Sequence, residues 1–279
     1  MRLRPRVRPP TAVAPPRSRE SLQVRSPYED PELYDLLFDG YREDLEFYLG
    51  HARAAGGPVL DLACGSGRLL LPMLAAGVDV EGLDLESEML ATLTRKARER
   101  GLEPVLHPGD MRSLDLPRRY ALIVCAFNTL VHNLTPEDWI ATLRVCREHL
   151  APGGSLLFDV QTMTPAALCD PDGVPVEEFD VSTPDAAITL RVFDTRRKDP
   201  VAQIQRSRIE VQEVDAAGEV LDTHRFEATM RWVQKNELVL MLTLAGFERW
   251  EIGSGFAGEP LGPDSLQLVV RAWGEGGAA

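Results

Sequence analysis

Asp61, Ala63, Gly65 and Gly67 fall within seven residues, from inside a short apolar run (59–62) to just before the apolar stretch Leu69-Leu70-Leu71. That order reads as a strand, a tight glycine turn and the start of a helix, the first half of a nucleotide-binding crossover. Glycine adopts backbone angles closed to other residues and lets a ligand lie against the main chain, where the first N–H groups of the helix are free to donate. A plain strand-to-helix turn would use the same residues. The second acid narrows the choice. Asp84 closes the next apolar run 17 residues after Gly67, the position from which a carboxylate accepts both hydroxyls of a ribose. A nicotinamide site would use the same acid, and a helix cap is its structural alternative. The third glycine of a dinucleotide fingerprint is replaced here by Leu70. That glycine serves close helix–strand packing over a pyrophosphate, so the turn suits a ligand without one.

The elements that must hold these residues alternate regularly. Leu33, Tyr34, Leu37, Phe38, Tyr41, Leu45, Tyr48 and Leu49 recur at helical spacing over 31–55, with Gly40 as a break. After the glycine turn come a helix over 69–76, a strand over 78–84 and a helix from Ser87 to about 101, with Ser87 as its capping residue. Strands at 104–107 and 120–126, a helix over 136–150 and a strand at 155–160 continue the pattern. A helix over 235–245 and strands near 247–253 and 266–273 close the chain, and the loop 256–260 between them is a candidate to touch substrate. Such alternation predicts an α/β fold with a doubly wound, mostly parallel sheet covered on both faces.

Residues 170–234 interrupt that alternation and predict an inserted antiparallel β lid with strands near 186–194, 202–214 and 222–233. In the last of these His224, Phe226, Ala228, Met230 and Trp232 share one face, and 216–219 supply a turn. A dimer interface is the other use for such a sheet. The core domain then comprises 28–169 and 235–279. The first 27 residues hold seven Arg and one Glu among many prolines, the composition of a disordered basic tail.

Charge and composition exclude several classes. At −13 overall the chain is a poor nucleic-acid binder. No apolar run reaches the roughly 20 residues of a membrane span. Its four cysteines show no disulfide or metal-ligand spacing, no metal set is apparent, and a reducing cytoplasm fits best.

Five blocks in order, VLDLACGSGR (59–68), GLDLESEML (82–90), GDMRSLDL (109–116), ALIVCAFNTLVHNLTPEDW (121–139) and LRVCREHLAPGGSLLFDV (143–160), resemble the class I S-adenosylmethionine-dependent methyltransferases. The likeness covers about 28–160, resumes over 237–247, and within the family points to the bacterial small-molecule group with amino-sugar and glycine N-methyltransferases. It implies a Rossmann-like methyltransferase fold with a seven-stranded sheet, and S-adenosyl-L-methionine as cofactor with S-adenosyl-L-homocysteine as product. Asp61, Ala63, Gly65 and Gly67 would surround the methionine part and Asp84 the ribose. Leu85 and Met89 would pack on the adenine, with Asp110 and the Met111 N–H meeting its edge. Ala126, Phe127 and Asn128 would lie where the methyl group is presented.

Tyr34 and Tyr41 are expected to lean over cofactor or substrate, Tyr41 as a catalytic candidate beside His132. Phe38 stands where the related sugar enzymes carry a further tyrosine, which weighs against an amino-sugar acceptor. Displacement at an activated methyl needs a nucleophile held in line and a route for its proton. His132, on the loop after the fourth strand, is the candidate base; a solvent-facing or locally bonded histidine is its other reading. The expected partner is a small-molecule acceptor methylated on nitrogen or oxygen, with a homodimer through the lid as a further expectation. A protein or RNA methyltransferase, a non-catalytic cofactor-binding regulator and a nicotinamide oxidoreductase are the alternatives; Leu70 speaks against the last.

Overall fold

The computed structural model describes residues 26–183 and 187–274. The basic tail expected over 1–27 falls almost entirely outside them. Ser26, the first described residue, accepts from Tyr28 N and opens a short 3-10 turn at Pro27–Glu29.

Asp30 then caps α1, Pro31–Phe38, by accepting from Leu33 N at 3.1 Å, with Pro31 at the first helical position. The expected break at Gly40 separates it from α2, Leu45–Ala54. The crossover follows as β1 Val59–Leu62, α3 Leu70–Ala75, β2 Val80–Asp84, α4 Ser87–Glu99 and β3 Val105–Pro108. Next are β4 Tyr120–Cys125, a 3-10 turn at Thr129–His132, α5 Pro136–His149, β5 Leu150–Gln161 and the single-turn α6 Pro165–Leu168. The inserted strands are β6 Pro175–Ser182, β7 Ile188–Asp199, β8 Ile204–Asp215 and β9 Val220–Arg231. Then α7 Lys235–Leu244, β10 Arg249–Gly253 and β11 Gln267–Trp273 complete the chain.

The main sheet has seven strands in the order β10-β11-β5-β4-β1-β2-β3, parallel except that β11 runs against both β5 and β10. Strand order reverses between β1 and β4, and ligands bind doubly wound sheets outside the strand ends at such a switch point. One face packs Trp139 and Leu143 of α5 and Leu238 and Met241 of α7; the other packs Tyr48, Met73 and Leu93 of α2, α3 and α4. Among the described residues no helix is long and apolar enough to cross a membrane.

Two sequence expectations change. Ser87 is the first residue of α4 and not its cap: Glu86 holds that position without a side-chain bond, and Asp84 Oδ1 accepts the Glu86 N–H at 2.9 Å. The inserted sheet has four strands, in the order β6-β7-β8-β9, where three were expected. Strand β6 carries three acids and a proline and is almost wholly exposed, as suits an edge strand. On the inner face, Leu190, Val192, Val211 and Phe226 pack against Leu33 and Leu37 of α1. Helix α1 therefore lies between the inserted sheet and the core.

The Leu70 substitution has a structural counterpart on β2. A Cβ on Gly82 would stand 2.5 Å from Leu70 Cδ1 and 2.7 Å from Cys64 Sγ. The space that a third fingerprint glycine would leave on the helix is instead left on the strand.

Candidate active site

A cavity of about 240 Å³ opens at the carboxyl ends of β1, β2 and β4. It is lined by ten of the residues singled out from the sequence: Tyr34, Ala63, Gly65, Asp84, Leu85, Met89, Asp110, Met111, Phe127 and His132. A smaller compartment of about 60 Å³ adjoins it and adds Asp61, Ser66, Arg68 and Ala126. Ala63, Gly65, Tyr34, Phe127 and Thr129 line both. Gly67, Asn128 and Tyr41 line neither.

The turn after β1 is built on left-handed backbone at Ala63 (φ 59°), Gly65 (φ 54°) and Gly67 (φ 92°). Asp84 anchors it, its Oδ2 accepting from Gly65 N at 2.7 Å. Burial raises the Asp84 pKa, and the bonds from the Glu86 and Gly65 N–H groups oppose that shift. Asp61, 3% exposed, lines the smaller compartment, and among the described residues nothing donates a hydrogen bond to its carboxylate. Burial pushes that carboxyl up to about 7, against the pull of the Arg68 guanidinium.

The loop after β4 is shaped by a residue the sequence did not single out. Asp159, buried on β5, accepts from Tyr48 Oη at 2.6 Å, Phe127 N at 2.8 Å, Asn128 N at 3.1 Å and Gln267 Nε2 at 3.2 Å. These bonds hold Phe127 and Asn128 at φ 58° and 60°, angles costly for residues with a Cβ. Asn128 braces β5 by accepting from Gln161 N at 2.7 Å and donating through Nδ2 to Gln161 Oε1. A lone acid in the apolar run Leu156-Leu157-Phe158-Asp159-Val160 was the available signal.

Residues 27–38 roof the cavity. Tyr28 and Tyr34 both line it, their rings 5.7 Å apart. The Tyr28 Oη lies 2.7 Å from His132 Nε2. Burial lowers the His132 pKa, and a backbone contact with Thr229 of β9 works against it. The Tyr28 and Tyr34 hydroxyls are both driven well above their ordinary value by burial. The roof is fastened through Asp35, whose carboxylate accepts from Lys96 Nζ of α4 at 2.7 Å and from the Ser66 hydroxyl of the glycine turn.

At the other end Arg68 donates to both carboxylate oxygens of Asp44, at 2.6 and 2.7 Å, and its guanidinium lies over the rings of Phe127 and Tyr41. Tyr41 thus packs beneath Arg68 and lines neither compartment. Asp44 is fully buried, so removing it strands a nearly buried cation. We expect Asp44→Ala to cost about 3–5 kcal/mol, seen as a lower urea midpoint with an unchanged slope. A change under about 1 kcal/mol would mean that the pair behaves like a surface one.

Asp110 is held by Arg112 through Nε at 3.0 Å and through a backbone N–H at 2.8 Å, which lowers its pKa. Leu85 and Met111 offer apolar surface to the same cavity.

Comparison with known proteins shows what the chain is similar to. The family described as "Methyltransferase domain" matches residues 59–154. The dTDP-3-amino-3,6-dideoxy-alpha-D-glucopyranose N,N-dimethyltransferase of Streptomyces fradiae is 34% identical over 138 residues, 47% of this chain and 52% of that protein. The chain therefore aligns with about half the length of that relative. The cypemycin N-terminal methyltransferase of a Streptomyces species is 27% identical over 221 residues, 79% of this chain and 84% of that protein. Among solved structures, the CcbJ methyltransferase of Streptomyces caelestis superposes with a TM-score of 0.72 at 27% identity, covering 90% of this chain and 98% of that one. The likeness runs through the glycine turn in sequence and through nearly the whole fold in structure: residues 59–154 match a methyltransferase domain, and the chain as a whole is similar to methyltransferases.

Proposed function

We propose that this chain transfers a methyl group from S-adenosylmethionine to an amine nitrogen of a small molecule, an amino sugar being the first candidate. The observation that carries the reading is the pair of buried carboxylates flanking the glycine turn, one in each compartment. An ionised carboxylate accepts at about four positions; Asp84 already meets the backbone N–H groups of Gly65, Glu86 and Leu85, and its remaining acceptor capacity suits a ribose hydroxyl. Asp61 is buried with no donor of its own, which suits a ligand that brings an ammonium. Leu85, Met89 and Met111 would hold the adenine.

When bound, S-adenosylmethionine supplies a methyl group on a positively charged sulfur. The chain's own part is to bind, orient and shield. Tyr28 and Tyr34 roof the site and keep water from it, and the Asp159 bonds fix the Phe127 backbone in the wall that both compartments share. With the Tyr28 hydroxyl donating to Nε2, His132 carries its proton on Nδ1. Its lowered pKa keeps the imidazole neutral near pH 7, able to take a proton at Nε2 once Tyr28 turns away. Nitrogen is favoured over oxygen because the two named relatives are an amino-sugar N,N-dimethyltransferase and an N-terminal methyltransferase. Phe38, the departure noted in the sequence, lines the neighbouring cavity and reaches this one only through its ring packing on Tyr34 and Phe127. The test is mass-spectrometric detection of methyl transfer to a panel of amino-sugar nucleotides, peptide amines and phenols. Products confined to phenols would overturn the nitrogen assignment. Cofactor binding with no product from any acceptor class would favour the regulator.

Asp61 makes the reading dependent on pH. A carboxyl with a folded pKa near 7 keeps a proton that the unfolded chain loses near 4. Its contribution to stability is therefore present at low pH and fades as pH rises from about 4 to about 7. Binding runs the other way, because an ammonium pairs with the ionised form. Affinity is expected to rise towards pH 7, and binding at pH 6 to release a proton. Calorimetry in buffers of different ionisation enthalpy measures that release, and Asp61→Asn should abolish it. Identical heats in every buffer for the unmodified chain would remove Asp61 from the ammonium site.

A further inference from the structure

A second cavity, about 160 Å³, lies between α1 and the inner face of the inserted sheet, walled mainly by Leu33, Leu37, Phe38, Val192, Ile209 and Phe226. The charged residues in its wall are tied to one another, Arg196 pairing with Glu178 at 2.8 Å and with Asp194 at 2.7 Å. With the two cofactor compartments it shares Tyr34 and nothing else. Tyr34 therefore stands where three spaces meet.

Helical geometry puts it there. Successive side chains of an α-helix point about 100° apart. Leu33 packs on the inserted sheet and Asp35 is fastened to Ser66 and Lys96 of the core, so Tyr34 projects between the two sides. A helical tyrosine has two open χ1 rotamers, about 180° and about −60°. Exchanging them carries the ring from one side towards the other while the helix stays in place.

Ala63, Gly65, Tyr34, Phe127 and Thr129 form the wall between the two cofactor compartments, and a ligand that fills both has to pass there. Four of these five are held. Ala63 and Gly65 belong to the turn that Asp84 anchors, Phe127 donates its N–H to Asp159 and lies under the Arg68 guanidinium, and Thr129 Oγ1 donates to Ala126 O at 2.8 Å. Tyr34 is the exception: its ring packs on Tyr28 and Phe38, and among the described residues no hydrogen bond ties its hydroxyl. Behind it is room for a ring. An apolar cavity of about 150 Å³ takes one benzene molecule, and the second cavity is of that size.

We propose that Tyr34 is a gate whose ring swings out of the wall between the cofactor compartments into the second cavity, which is the space that receives it. Ligand passes between the compartments only while the ring is there. The inference rests on the reading that one ligand spans both compartments.

The test measures association and dissociation of S-adenosylhomocysteine by stopped flow, on the full chain and on Ile209→Trp, which fills the second cavity. Both rates are expected to fall about tenfold or more while Kd stays within about threefold, because a gate alters the path and not the end state. Tyr34→Ala, which removes the gate, should raise both rates. Damaged packing alone would weaken Kd without slowing association, and that result, or exchange in Ile209→Trp as fast as in the unmodified chain, would overturn the gate. Failure of S-adenosylhomocysteine to bind the unmodified chain at all would instead remove the spanning-ligand reading. Fluorine NMR relaxation dispersion on the fluorotyrosine-labelled chain decides without Ile209→Trp, should that variant not fold. The Tyr34 signal, identified by its absence in Tyr34→Phe, is expected to exchange between two environments in the free chain and to stop exchanging at saturating S-adenosylhomocysteine. A Tyr34 signal without exchange in the free chain would equally overturn the proposal.

Discussion

Asp84→Ala is expected to weaken binding of both S-adenosylmethionine and S-adenosylhomocysteine by at least about 100-fold. The substitution removes the carboxylate proposed to accept from the ribose, a charge-assisted bond in a buried setting. It also releases the Gly65 N–H, which Asp84 Oδ2 holds at 2.7 Å, and so loosens the turn that both compartments share. Asp84→Asn separates the two effects. The amide keeps one acceptor oxygen for the Gly65 N–H and loses the charge, so it should retain the fold and still lose most of the affinity. Calorimetric titration of both variants measures this, with NADH as a third ligand. Undiminished binding to Asp84→Ala, or tight binding of NADH alone, would remove the ribose assignment and the methyl-transfer proposal with it.

The second large effect separates the two glycines of the turn, which look equivalent in sequence. Gly67 sits at φ 92°, and a Cβ there would meet Leu93 Cγ at 2.8 Å and Leu71 Cγ at 3.0 Å. Both leucines are fully buried and have no room to retreat. Backbone strain and overpacking together predict a loss of about 3 kcal/mol or more for Gly67→Ala. Gly65, at φ 54°, has nothing within 4 Å of its Cβ position, so Gly65→Ala should cost only about 1–2 kcal/mol. Its new methyl would stand in the wall shared by the two compartments, and cofactor affinity should fall about tenfold or more. Urea unfolding and titration of the pair together check the assignment: Gly67 serves packing and Gly65 serves the ligand. Equal stabilities for the two variants would contradict it.

The parts of the site that were legible in sequence are those fixed by local chemistry. A glycine turn after an apolar strand, an acid at the end of the next strand and a methionine on the following helix sit at spacings set by the crossover itself. They fall around one cavity because the sheet's switch point puts them there. What was not legible depends on residues distant in the chain. Asp159 shapes the Phe127–Asn128 backbone from 31 and 32 residues away. Tyr28 reaches His132 across 104 positions. Tyr41 belongs to the same aromatic stripe as Tyr34, and no period in the sequence says that the chain turns between them and lays Tyr41 under Arg68. Strand β6 was missed for a different reason: its acids and proline carry no apolar alternation, because it is an exposed edge held by pairing with β7 and by the packing of Phe179 on Phe38.

The roof over the cofactor cavity has a consequence for how the protein comes into being. Helix α1 is eight residues long, too short to persist by itself in water. Its fastenings, Ser66 and Lys96, are made 31 and 61 residues after Asp35, and its apolar partners run to Phe226. During synthesis this segment therefore emerges before everything it rests on and waits until the inserted sheet has been translated. The roof has all its partners only once Phe226 has been translated, so a chain that stops within the parallel sheet carries the glycine turn without its full cover.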